Sequence, residues 1–272
     1  MNLLVKILLW LQTEMLTPTR YGWFHLMWVG FIVLSIIFLY KIKNNYNDKQ
    51  LKTVLAIYGR GALVLEILKQ IIWSFSYDYV TYQITFDYTW YAFPFQLCTT
   101  PIFVSLICLF LKNTKLRKSL LSYLAYITIL GSIATVILPD SCFVDTILIN
   151  IHTMWLHCGS LVVSIYLLMT KEVEIKFDNL IKSIKVFFIF LTIAQFLNLT
   201  IYHSGILKGE TFDMFYVSPY FISTLPIFDV VQENMPYFVF FLFYISVILL
   251  GGFLVYYLSF LLKNLKKQKI DK

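Results

Sequence analysis

The chain has 272 residues, of which 59% are hydrophobic, 18% aromatic and only 14% charged, with a formal net charge of +7. A soluble domain carries about 25% charged residues to build a polar skin, so a water-soluble globule is excluded. The basic balance invites a polyanion partner. The lysines and arginines, however, fall in short stretches beside long apolar blocks, which argues against nucleic acid and for orientation in a membrane.

In chain order, residues 1–19 form an apolar stretch too short to span. It has one basic flank, Lys6, carries Glu14, and lacks a small-residue cleavage site. It reads as an amphipathic segment lying on the outer interface rather than a signal peptide. Apolar blocks of roughly 20 residues then predict spans at 22–40, 53–74, 93–111, 119–138, 146–169, 183–202 and 237–262. The connecting segments alternate. Lys41, Lys43, Lys49 and Lys52 follow the first span, and Lys112, Lys115, Arg117 and Lys118 the third. Lys171, Lys176 and Lys182 follow the fifth, and Lys263, Lys266, Lys267, Lys269 and Lys272 the seventh. The intervening loops are acidic or nearly free of Lys and Arg.

The positive-inside rule makes the basic loops cytoplasmic. The expected fold is therefore all-α, a polytopic membrane helical bundle of about seven transmembrane helices, N-terminus outside and C-terminus cytoplasmic. Residues 20–262 form the bundle, with a lid-like external loop at 203–236 that is apolar and broken by Pro219, Pro226 and Pro236. An apolar loop of that length should bury itself. Residues 263–272 are a basic cytoplasmic tail, and the spans leave no room for a second domain. The abundance of Lys, Asn and Ile suggests an AT-rich bacterial genome, hence the bacterial cytoplasmic membrane.

Ionisable groups inside spans are expensive unless they face the bundle interior and find partners. Glu66 and Lys69 lie three apart on the second span, on one helical face, where they can pair. His25, Gln96, Cys98, His152, His157, Gln195 and Asn198 add polar groups on other spans, most of them in the outer half. Each alone has an ordinary explanation. A buried Cys is usually packing, a lone intramembrane His usually bonds a neighbouring helix, and Glu66 with Lys69 can be a structural ion pair. Their convergence at one depth predicts a shared polar cavity opening outward. A thiol beside an imidazole base there can run acyl transfer. The four cysteines have neither CxxC spacing nor metal-site pairing with His, so neither a metal nor another cofactor is expected.

The run Ala92-Phe93-Pro94-Phe95-Gln96-Leu97-Cys98 resembles the "LPxxLC" opening of a span in the YwaF-like integral membrane proteins. Arg20-Tyr21-Gly22-Trp23-Phe24-His25 is similar to that family's first-span entry, and Arg60 to Glu66 to its "R…E" segment. Leu156-His157-Cys158-Gly159-Ser160-Leu161 resembles its "HG" span, with Cys158 inserted. Eukaryotic relatives of the family are acyltransferases that place acyl chains on ether phospholipids. The resemblance implies Cys98 as nucleophile and His157 as general base, with membrane phospholipids as partners and protein partners left open. His152 stands as the alternative base, and His25, Glu66, Lys69, Gln96 and Asn198 as supporting residues. The sequence departs from the family at Gln96, where many relatives carry His or Glu, and after Asn198, where the usual "NY" is missing. A second reading is a solute-binding or transport component that uses the same cavity without covalent chemistry.

Overall fold

A computed structural model describes residues 2–112 and 114–270, without the side chains of residues 45 and 266–270. Met1 of the N-terminal segment and Lys272 of the expected tail lie outside the described residues. So do the side chains of Lys266, Lys267 and Lys269.

Helix α1 (Leu3–Leu11) is capped by Asn2, whose side chain accepts from Leu4 N. It buries Val5, Leu8 and Leu11 and leaves Leu3, Leu4, Ile7 and Trp10 exposed. Gln12 pins its end by donating to the carbonyls of Ile72 and Phe75. The long helices follow: α2 (Trp23–Ile42), α3 (Asp48–Ser74), α4 (Thr100–Phe110), α5 (Lys115–Tyr126), α6 (Thr128–Ile137), α7 (Ile147–Met169), α8 (Phe177–His203), the short α9 (Phe228–Asn234) and α10 (Tyr237–Ile270). A two-stranded antiparallel hairpin, β1 (Phe75–Asp78) with β2 (Gln83–Phe86), caps α3. Its turn is closed by Asp78, which accepts from the backbones of Val80 and Thr81.

Among the described residues, five units are long and apolar enough to cross a bilayer: α2, α5 with α6, α7, α8 and α10. They coincide with five of the seven expected spans and form an all-α polytopic bundle. The other two differ in a physical way. Helix α3 is long enough at 27 residues, but Arg60, Glu66 and Lys69 lower its hydropathy. Helix α4 has only 11 residues, because the first part of the expected 93–111 span is not helical. Pro94 and Pro101 withhold backbone donors there. The Thr99 hydroxyl donates to the Gln96 carbonyl and accepts from the Gln96 amide, which favours a turn over helix. Helices α3 and α8 begin earlier, and α10 ends later, than apolar composition alone marked, because charged residues continue a helix beyond the hydrocarbon.

Helix α7 is the hub, packed by α2, α3, α5 and α6. Its contact with α3 is close: a Cβ at Gly159 would lie 2.6 Å from Tyr58 Cδ2, so only glycine fits. Segment 204–236 turns back into the bundle. Phe212 packs on Trp90 and Phe93, while Phe215 packs on Phe95 and Phe187. Phe187 is 16 residues before the end of α8, about 24 Å down that helix, so the segment enters the interior rather than lying on a surface.

Candidate functional site

The most concentrated buried chemistry lies where α3 meets α7. Glu66 is 3% exposed, Lys69 8% and His152 5%. Lys69 Nζ stands 2.6 Å from Glu66 Oε1, and His152 Nε2 2.8 Å from Glu66 Oε2. Gln70 Nε2 donates to Glu66 Oε1 at 2.8 Å and to the Ala92 carbonyl at 2.6 Å. The 66, 69 and 70 spacing puts all three side chains on one helical face, and α7 brings the imidazole. A carboxylate so surrounded is compensated by the Lys69 cation and by the His152 and Gln70 donors, which lets it stay ionised away from water. In the neutral tautomer that suits an ionised Glu66, Nε2 carries the proton and Nδ1 keeps its lone pair. Among the described residues, no other hydrogen bond engages the His152 ring.

Cys98 lies two residues before α4, at the positive end of its helix dipole. Its electrostatic neighbours include Lys69 and Glu66. The thiol is half-buried rather than fully buried. No hydrogen bond joins it to His152 or His157 among the described residues. His157 lies five residues beyond His152 and so faces another side of α7, toward the Gly131 carbonyl of α6.

Three expected site residues bind backbone instead. His25 receives the Tyr21 amide at Nδ1 and meets the Val136 carbonyl with Nε2, tying α2 to α6. Gln96 donates to the Asp213 carbonyl and accepts from Phe215 N. Asn198 brackets Met214, accepting from its amide at 2.8 Å and donating to its carbonyl at 3.0 Å. Gln96, in the turn before α4, and Asn198, on α8, thus clamp the re-entrant segment from two sides.

Two participants escaped the sequence reading. Gln70 was legible as the i+4 neighbour of Glu66. Asp213 was not, since nothing distinguishes it from other loop acids. It accepts from Ser218 N through Oδ1, and its Oδ2 is buried without a partner. Among the described residues, no group of three His, Cys, Asp or Glu side chains is arranged to hold a metal ion.

A multi-pass helical bundle with ionised and imidazole groups buried between its spans is an integral membrane protein with an intramembrane polar site. The model of the TMEM164 family matches residues 16–257, and the chain belongs to that family. No curated protein and no solved structure matches it.

Proposed function

We propose that this chain is an acyltransferase of the bacterial cytoplasmic membrane, with its basic end cytoplasmic, that moves acyl chains between phospholipids through a Cys98 thioester. The observation that carries the reading is the Glu66–His152 pair, an imidazole oriented by a buried carboxylate, in the same electrostatic cluster as a half-buried thiol. The resemblance favoured His157 as base. His152 is assigned that role here because it owns the carboxylate partner and an unengaged nitrogen, following the logic of a base oriented by a third group.

In the first step His152 Nδ1 takes the Cys98 proton and the sulfur attacks the ester carbonyl of a phospholipid. The ester C–O bond breaks, the imidazolium returns the proton to the departing lysolipid hydroxyl, and an acyl thioester remains. In the second step an acceptor lysolipid hydroxyl attacks the thioester. Its proton passes to His152 and then to the sulfur, which regenerates the thiol. The dense protein around the site keeps water from hydrolysing the intermediate.

The test is to incubate purified protein in nanodiscs with a lysophospholipid and an isotopically labelled diacyl lipid, and to follow acyl exchange by mass spectrometry. Wild-type exchange with trapping of acyl-Cys98 is expected, lost in Cys98→Ala and in His152→Ala. Exchange retained in Cys98→Ala would end the covalent reading. Exchange retained in His152→Ala but lost in His157→Ala would return the base to His157.

A further inference from the structure

The basic end of the bundle carries a second polar centre, unconnected with Cys98. A cavity of about 410 Å³ opens there, lined by Tyr46, Asp48, Lys52, Lys112, Arg117 and Glu172. Arg117 is 3% exposed, although it stands on the first turn of α5 near the rim. One guanidinium nitrogen meets Asp48 Oδ1 at 2.6 Å, while its Nε is buried with no acceptor. An orphaned N–H on a buried, permanently charged group is costly and marks a missing partner.

The charges around the cavity show what that partner is. Asp48 is already shared between Arg117 and Lys52, the latter at 3.1 Å. Glu172 accepts from the Tyr46 hydroxyl. Burial and Glu172 together hold the Tyr46 phenol well above its ordinary value, so it stays a donor. Both acids are therefore engaged, whereas the Lys112 ammonium at the end of α4 makes no ion pair among the described residues. The Tyr166 hydroxyl, buried beside Tyr46, is a second polar group without a partner. The surplus is of donors and positive charge.

We propose that this cavity binds a phosphate group, held by the Arg117 guanidinium and Lys112 at the basic end of the bundle. The group can belong to an anionic lipid headgroup or be free phosphate, since both present the same tetrahedral acceptor set to a guanidinium. A lipid source fits the position, because helix-flanked basic pockets at this level meet headgroups. The inference does not depend on acyl transfer.

The experiment is native mass spectrometry and thermal unfolding of the purified protein in a zwitterionic detergent. One arm titrates phosphatidic acid against phosphatidylcholine, and the other inorganic phosphate against chloride at constant ionic strength. Saturable binding of phosphatidic acid alone identifies a headgroup site; binding of both identifies a site for the phosphate itself. Either result must weaken about tenfold in Lys112→Gln, an exposed position whose replacement leaves the fold intact. Binding of neither ligand, or equal affinity in wild type and Lys112→Gln, would overturn the proposal.

Discussion

Replacing Glu66 by Ala removes the acceptor shared by Lys69, His152 and Gln70 and leaves Lys69 an unpaired buried cation, about 32 Å from the Asp48 end of α3 and about 8 Å from its Ser74 end. Breaking a buried pair by deleting one partner costs about 3–5 kcal/mol, and the low end, about 3 kcal/mol, suits a cation this close to the outer end of the helix. At about 2–4 °C per kcal/mol for chains approaching this size, Glu66→Ala should lower Tm by about 6–12 °C. Tryptophan fluorescence during a thermal ramp in nanodiscs reads the shift. Glu66→Gln keeps one acceptor oxygen, replaces the other by an NH2 donor and loses the charge, so it retains part of the bonding and should fall between wild type and Ala. The decisive comparison is the double variant. Adding Lys69→Met to Glu66→Ala removes the stranded charge and must recover a substantial part of the loss. A double variant no more stable than Glu66→Ala would refute the claim that these two side chains neutralise each other inside the bundle.

Two further outcomes follow from named contacts. Gly159→Ala drives a Cβ to 2.6 Å from the Tyr58 ring, and overpacking of this kind costs about 1–3 kcal/mol; trimming the ring with Tyr58→Leu should recover part of it in a double-mutant cycle. Asp140 is held below the usual carboxylate range by the Arg20 guanidinium. Any stabilisation from the pair is present above the ordinary aspartate value of about 4 and fades as pH falls through the lower folded value. Both groups are exposed, so Asp140→Asn should leave Tm at pH 7 unchanged, and a clear loss there would contradict the screening argument.

The bundle was legible because the bilayer imposes a length and a polarity on each span, and the alternation of basic loops leaves little freedom in their order. The Glu66–Lys69 pair was legible for the same reason, since a three-residue spacing fixes a shared face. What escaped is set by tertiary structure. Apolar composition cannot tell a continuous helix from the unwound stretch that precedes α4, because Phe93, Phe95 and Leu97 are as hydrophobic in a turn as in a helix. Depth gathered His25, Gln96 and Asn198 with the site residues, yet depth says nothing about azimuth. His25 turned to Val136 and the two amides to the re-entrant backbone. Azimuth also separated His152, which meets Glu66, from His157, five residues on. The orphan nitrogen of Arg117 had no sequence signal, since an arginine beside lysines at a span end reads as an orientation charge.

The re-entrant segment carries the most instructive local conflict. Phe215 and Tyr216 both adopt the left-handed conformation, with φ of 61° and 57°, which disfavours bulky side chains by about 1–2 kcal/mol per residue. Neither is glycine, so surrounding contacts must hold them. The Gln96 amide, bonded to the Asp213 carbonyl and to Phe215 N, is the most direct clamp, with Asn198 on Met214 as the second. At about 1 kcal/mol net for each bond, removing the two from Gln96 approximately matches the strain at one residue, which predicts that Gln96→Ala lets the turn open transiently. Cys98 is two residues away and is the natural reporter. In a Cys142→Ser background, maleimide labelling of Cys98 should accelerate about tenfold in Gln96→Ala and in Asn198→Ala. Cys108 and Cys158, both fully buried, should remain unlabelled. Acceleration at all three would indicate general loosening of the bundle. Unchanged labelling of Cys98 would show that the strained turn is held by the packing of Phe215 on Phe95 and Phe187 rather than by the amides. In that case the segment is a fixed wall of the site instead of a gate to it.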